Sequence, residues 1–84
     1  MKDLLDIRKE IDGIDRQIVE LFENRMVLTT QVAEYKISTG KAVFDKEREV
    51  SKLDSVAALA HSDFNSHGVR ELFEHIMSVS RKRQ

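Results

Sequence analysis

The stretch that decides the fold is "LLDIRKEIDGIDRQIVELFENRMVLTTQVAEYKIS", residues 4–38. Its apolar residues recur in alternating steps of three and four, the heptad pattern of a long helix packed along another helix. Arg25 is the one interruption of this pattern. Asp3 is placed to cap the start of the helix, and Gly40 to end it. The apolar positions, called the seam below, are Leu4, Ile7, Ile11, Ile14, Ile18, Leu21, Leu28, Val32 and Tyr35.

A helix over residues 4–38 is longer than the domain that a chain of 84 residues forms. At ~1.5 Å per residue it spans about 52 Å, whereas a compact chain of this length has a diameter of about 30 Å. The seam therefore needs a cover from outside the domain. The simplest cover is the same helix of a second copy, antiparallel by two-fold symmetry, and the prediction is an intertwined homodimer.

The remainder of the chain predicts two shorter helices, which makes the fold all-α with three helices per chain. Proline is absent and glycine occurs three times, so little interrupts a helix. Asp45 is placed to cap a second helix over about 46–60, and Asn65 a third helix over about 66–84. Residues 1–84 are then one domain, in which the long first helix pairs antiparallel with its copy in a homodimeric bundle.

Composition argues against several functional classes. Lys and Arg total 14 against 15 Asp and Glu, a balance that disfavours a nucleic-acid-binding protein. The chain has no cysteine, and His61, His67 and His75 lack metal-binding spacing, so we expect no metal site. No apolar run approaches the ~20 residues of a membrane span, and the N-terminus is too charged for a signal peptide. The expectation is a cytoplasmic protein without a membrane partner.

Polar residues on the apolar face of the first helix are the first candidates for function. Arg25 lies in the seam, where burying a guanidinium is energetically costly unless it pairs with an anion. It could pair with Glu49, set the helix register, or bind an anionic ligand. Lys36 follows three turns later in nearly the same direction, so both cations could flank one anion, although Lys36 could also be an ordinary surface lysine. Arg8 is about 25 Å before Arg25 along the helix; it is either a solvated charge or, in an antiparallel dimer, a neighbour of the other copy's Arg25.

Further candidates lie at the start of the second helix and the end of the third. The segment "DKERE" (45–49) is either a charged first turn or a source of an inward-pointing Arg48 or Glu49. Ser80 and Gln84 continue the apolar stripe of the third helix, although Ser80 could bond its own helix and Gln84 could be only an end residue. Together these groups describe a pocket suited to a small dianion, and to a reaction helped by orientation and charge.

With these residues in place, the whole chain closely resembles the all-helical (AroQ-type) chorismate mutases. The resemblance implies an intertwined homodimer with two active sites and no cofactor. It also implies the Claisen rearrangement of chorismate to prephenate, a step toward phenylalanine and tyrosine, without a covalent intermediate. The segments that carry it are "IRKEIDGIDRQIVELFENR" (7–25), "VAEYK" (32–36), "GKAVFDKERE" (40–49) and "LFEHIMSVSRKRQ" (72–84).

The same resemblance implies a role for each matching residue. Arg25 and, from the other subunit, Arg8 would hold the two substrate carboxylates and favour the compact reactive conformer. Lys36 and Gln84 would donate hydrogen bonds to the ether oxygen, which gains negative charge as its bond breaks. Glu49 and the Asp45 backbone would hold the ring hydroxyl, and Ser80 and Arg48 would support a carboxylate. Val32 and Met77 would be apolar walls of the pocket.

Two departures from the family pattern and two alternative functions remain open. Ala42 stands where the family often has proline, and Arg81 where an apolar wall residue can occur, so the direction of Arg81 is undetermined. The nearest alternative is an isochorismate-pyruvate lyase of the same fold, which tends to lack the acid pair Asp45 and Glu49. The other alternative is a non-catalytic helical dimerisation module.

We also expect the natural chain to continue past Gln84. A terminal residue frays, and its carboxylate would lie close to a dianionic substrate. Domains that resemble this one also occur fused to downstream prephenate enzymes.

Overall fold

The computed structural model describes residues 2–41 and 46–83, without the side chain of Arg83. Within these ranges the chain forms three helices and no strand: α1 (Leu4–Thr39), α2 (Lys46–Ala57) and α3 (Asp63–Arg83). The prediction of an all-α fold with three helices per chain is confirmed for the part of the chain described. Within the same ranges, no helix combines the length and the apolar character that crossing a membrane requires.

Both ends of α1 are fixed by caps at the predicted residues. The Asp3 side chain accepts a hydrogen bond from the backbone N–H of Asp6 at 2.9 Å. At the other end Gly40 adopts a left-handed conformation, with φ of 72°, and its N–H donates to the Lys36 carbonyl at 2.8 Å. These contacts satisfy backbone groups that a helix end otherwise leaves unpaired, and they explain why α1 begins and ends where the sequence indicates.

Alanine substitutions at two glycines should change stability in opposite directions. A Cβ added at Gly13 meets no atom within 4 Å apart from its chain neighbours and its own helix backbone, so Gly13→Ala should raise the free energy of unfolding by about 1 kcal/mol through helix propensity. Gly40→Ala should lower it by about 1 kcal/mol, because a side chain disfavours a positive φ. Urea unfolding of both variants beside the unaltered protein measures these changes, and a loss of stability in Gly13→Ala would contradict the prediction.

The second helix ends earlier than predicted. It stops at Ala57 rather than near residue 60. The N–H groups of Leu59 and Ala60 donate to carbonyls three residues back, at 3.1 and 3.2 Å. Such bonds form a tighter turn that ends an α-helix. The predicted cap at its start, Asp45, lies outside the described residues.

The third helix begins earlier than predicted, at Asp63 instead of near residue 66. Its cap is Ser62, whose Oγ accepts a hydrogen bond from the N–H of Asn65 at 3.1 Å. The prediction that Asn65 is the cap is therefore wrong. Asn65 lies within the first turn of α3, and Gly68 is accommodated inside the helix.

The helix α3 is the centre of the fold, because it packs against both other helices. Among the described residues α1 and α2 do not pack directly on each other. The apolar core of the described chain is small and lies where α3 meets its neighbours; its buried members are Met26, Val56, Ala57 and Met77.

Most of α1 projects beyond this core. The chain measures 57 × 25 × 16 Å and has a radius of gyration of 16.3 Å, against about 12 Å for a compact chain of its length. Every residue of the seam stays exposed, from 37% at Val32 to 67% at Leu21. One chain alone therefore leaves its most regular apolar surface uncovered.

Candidate active site

A hydrogen bond between Arg25 of α1 and Ser80 of α3 lies at the centre of the candidate site. Nη1 of Arg25 donates to Oγ of Ser80 at 2.6 Å. The Ser80 side chain is buried, and its hydroxyl donates in turn to the Ile76 carbonyl at 2.8 Å. The bond to its own helix that the sequence suggested is therefore present. It orients the hydroxyl so that its oxygen faces the guanidinium.

No ion pair joins Arg25 to a carboxylate among the described residues. The alternative in which Arg25 pairs with Glu49 is therefore wrong. Arg25 is half-buried, and Thr29, one turn further along α1, is buried with its hydroxyl donating to the Arg25 carbonyl at 3.0 Å. A guanidinium has five N–H donors. Because a neutral hydroxyl is its described partner, the charge of Arg25 remains available to an anion.

The carboxylate of Glu49 is held by Arg81 instead. Nη1 of Arg81 and Oε1 of Glu49 are 2.5 Å apart, with the two side chains 43% and 27% exposed. Glu49 lies in the first turn of α2 and Arg81 in the last turn of α3. The direction of Arg81, which the sequence left undetermined, is thus toward α2. Since Ser80 and Arg81 are consecutive, one turn of α3 is joined to both other helices.

The other predicted site residues are distributed along the same elements. Lys36 is exposed near the end of α1, and Arg8 is exposed near its beginning. Val32 is 37% exposed, whereas Met77 is buried at 5% beside Ser80. Arg48 lies exposed in the first turn of α2. Asp45 and Gln84 lie outside the described residues.

A single chain brings some of the predicted groups together, but not all of them. Arg25, Ser80 and Glu49 meet around the last turn of α3. Arg8 lies about 25 Å from Arg25 along one helix, so one small ligand cannot touch both within a chain. Within the described ranges, no group of three or more His, Asp or Glu side chains could hold a metal ion. The arrangement is suited to binding an anion by cations and hydrogen bonds.

Comparison with known proteins assigns the chain to a family. The family model for chorismate mutase type II matches residues 7–84. The chain belongs to the chorismate mutase type II family. The match covers every residue predicted for the site, from Arg8 to Gln84, and it confirms the resemblance stated from the sequence.

Related proteins and a solved structure agree with this membership. The structure of chorismate mutase (form I) from Thermus thermophilus has a TM-score of 0.85 and 26% identity, covering 94% of this chain and 99% of that one. A chorismate mutase of Methanocaldococcus jannaschii is 41% identical over 56 residues, which are 67% of this chain and 57% of that protein. A bifunctional chorismate mutase/prephenate dehydratase of Buchnera aphidicola is 35% identical over 79 residues, or 93% of this chain and 20% of that protein.

Several of these family members are much longer than the present sequence. The chain spans 15 to 20% of the length of four curated relatives that it matches. Three of them are named bifunctional chorismate mutase/prephenate dehydratase. The similarity to this chain therefore covers only a part of each of these longer proteins.

Proposed function

We propose that this chain is a chorismate mutase, which rearranges chorismate to prephenate within a homodimer. The observation that carries the proposal is the environment of the Arg25 guanidinium. Its guanidinium is half-buried in an apolar seam, oriented by Ser80 at 2.6 Å, and not neutralised by a carboxylate among the described residues. In a member of the chorismate mutase type II family, that charge is suited to a carboxylate of the substrate.

Carboxylate binding would serve the reaction by selecting a conformer. The rearrangement is unimolecular, so the barrier falls when the two reacting carbons are held close together. Arg25 would bind one carboxylate of chorismate, supported by the Ser80 hydroxyl, and Arg8 of the second copy would bind the other. Arg48 would support a carboxylate at longer range. The buried Met77 and the half-exposed Val32 are suited to be apolar walls of the pocket.

Hydrogen bonding to the ether oxygen would stabilise the transition state. This oxygen gains negative charge as the C–O bond breaks, so donors placed there act more strongly on the transition state than on the substrate. Lys36 lies on the same face of α1 as Arg25, about 16 Å further along the axis. Both side chains are long enough to reach a ligand between them. Gln84 would be the second donor, while Glu49 and the Asp45 backbone would hold the ring hydroxyl.

The amount of exposed surface supports a homodimer. A folded monomer of 9.7 kDa is expected to expose about 5,100 Å², whereas this chain exposes 7121 Å². The difference of about 2,000 Å² is in the range that a stable homodimer buries from each subunit. An antiparallel second copy of α1 would cover the seam and carry its own Arg8 toward Arg25.

A substrate assay with two arms tests the proposed function. The chain alone, incubated with chorismate, is expected to form prephenate. With isochorismate it is expected to form neither salicylate nor pyruvate, because Glu49 is present to bind the ring hydroxyl of chorismate. Formation of salicylate and pyruvate without prephenate would identify the lyase alternative, and no turnover of either substrate would contradict both enzymatic assignments.

The bifunctional relatives extend the proposal to the natural context of the domain. Because prephenate is the product of the mutase step, a prephenate enzyme on the same chain would use that product directly. Relatives named bifunctional chorismate mutase/prephenate dehydratase support such a fusion for this domain. The two-substrate assay addresses only the mutase step and does not depend on the fusion.

A further inference from the structure

The ion pair between Arg81 and Glu49 has no role in the function proposed so far. We propose that Arg81 is a positioning residue, which holds the Glu49 carboxylate where it accepts the hydrogen bond of the substrate's ring hydroxyl. This inference rests on the proposed mutase function. It is carried by the 2.5 Å contact between Nη1 of Arg81 and Oε1 of Glu49, which joins the last turn of α3 to the first turn of α2.

The pair differs from the other ion pairs described in the chain by the burial of its carboxylate. The Glu49 side chain is 27% exposed, whereas the carboxylates of the Lys2–Glu10 and Arg70–Asp54 pairs are 57% and 65% exposed. Exposed ion pairs contribute little because both partners remain solvated and mobile. Glu49 is partly withdrawn from water, so the position of its carboxylate depends more on the guanidinium that holds it.

The position of Arg81 in the chain relates Glu49 to Arg25. The residue before it, Ser80, is bonded to Arg25 at 2.6 Å. Two consecutive residues of one helix turn therefore fix a carboxylate-binding cation on α1 and a hydroxyl-binding carboxylate on α2. While this turn is formed, it keeps these two groups at a constant separation. Such a separation is what recognition of both a carboxylate and a hydroxyl on one small ring requires.

Arg81 also addresses an electrostatic difficulty of the site. A carboxylate near a dianionic substrate repels it, and a cation bound to that carboxylate offsets the repulsion. An ionised carboxylate offers about four lone-pair positions to donors. One N–H from Arg81 on Oε1 therefore leaves Glu49 able to accept a hydroxyl. The guanidinium thus fixes the carboxylate and offsets its repulsion of the substrate. It still leaves acceptor positions on Glu49 for the ring hydroxyl.

Substitution of Arg81 should affect substrate binding more than the chemical step. Arg81→Met keeps an unbranched chain and removes the charge, and we expect it to raise KM for chorismate about fivefold. We expect kcat to change less than about twofold, because the ring hydroxyl is bound alike in substrate and transition state. Arg81→Lys should recover part of the loss. Lys82→Met, at the neighbouring exposed position of α3, is the matched control and should leave both constants unchanged.

A double-mutant cycle tests whether Arg81 acts through Glu49. In a Glu49→Gln background, Arg81→Met should change KM less than about twofold, because the group it positions is gone. A bicyclic dicarboxylate inhibitor that carries the ring hydroxyl should bind Arg81→Met about fivefold more weakly than it binds the unaltered chain, and the same inhibitor without the hydroxyl should bind both alike. Equal losses in both backgrounds, or equal losses for both inhibitors, would overturn the inference.

Two further outcomes separate this inference from its alternatives. If Arg81→Met lowered the melting temperature and the dimer mass in step with activity, the ion pair would be only structural, and the inference would be wrong. If the unaltered chain turned over no chorismate, the proposed function would fail and this inference with it. If the unaltered chain turned over chorismate and the effects of Arg81→Met and Glu49→Gln were additive, the proposed role of Arg81 would be wrong and the proposed function would stand.

Discussion

Arg25→Ala is expected to lower kcat/KM for chorismate at least about a hundredfold, a loss of ~3 kcal/mol in transition-state binding. The guanidinium is half-buried, and among the described residues it is bonded to the Ser80 hydroxyl rather than to a carboxylate. Its removal would take away the charge that holds one substrate carboxylate and leave Ser80 without its donor. Steady-state kinetics at saturating and limiting chorismate measure the loss.

A matched arginine on the same helix provides the control. Arg16 is exposed on α1 and lies two residues from seam positions on either side, hence on the opposite face of the helix. Arg16→Ala should retain full activity. Both variants should keep the dimer mass in sedimentation. If Arg25 only set the helix register, Arg25→Leu would stabilise the dimer without loss of turnover, and that result would contradict the proposed role.

Mixing Arg8→Ala chains with Arg25→Ala chains is expected to restore activity that neither variant has alone. If Arg8 completes the site of the other copy, a mixed dimer contains one site with both arginines and one site with neither. Random pairing makes half of the dimers mixed, and half of their sites are intact, so about a quarter of the unaltered activity should return. Unfolding the two variants together in urea and refolding them exchanges the subunits before the assay.

The controls for this experiment are each variant refolded alone, which should stay at its own low activity. Mass spectrometry of differently tagged chains verifies that mixed dimers have formed. Mixed dimers without recovered activity would contradict the placement of Arg8 across the interface. Full activity of Arg8→Ala alone would remove Arg8 from the site.

The first helix was the part of the fold that sequence could predict best. Its heptad seam continues over many turns, and the caps at Asp3 and Gly40 are both present in the structure. The cap residues and the heptad pattern therefore indicate the same helix, and such a helix can be predicted from one sequence. The exposed seam also follows from the sequence. Its cover by a second copy, which the length of the helix predicts, stays a prediction, because one chain alone does not show it.

The connection between α2 and α3 shows where sequence reasoning failed. Ser62 and Asn65 are both good N-cap residues and lie three apart in one polar segment, so propensity alone does not choose between them. The structure caps α3 at Ser62. The start of the helix therefore depends on tertiary packing, which can override a local preference.

The candidate residues are easier to infer from the sequence than the bonds between them. Arg25 and Ser80 were identified because polar groups interrupt apolar stripes, and the structure joins them directly. The partner of Arg81 could not be inferred, because a long arginine side chain reaches several neighbours and its choice depends on how α3 meets α2. The sequence allows Glu49 to pair with Arg25, whereas in the structure its carboxylate pairs with Arg81.

The two bonds made by Ser80 and Arg81 also determine what happens to the site when α3 opens locally. Both belong to the last turn of α3, and helix ends open locally at much lower free energy than the whole domain unfolds. When that turn opens, Arg25 and Glu49 lose their described partners in the same event. The site would then behave as an all-or-none unit, present only in molecules whose last turn of α3 is closed. Any contact that holds this turn closed would raise the fraction of competent molecules without touching the substrate.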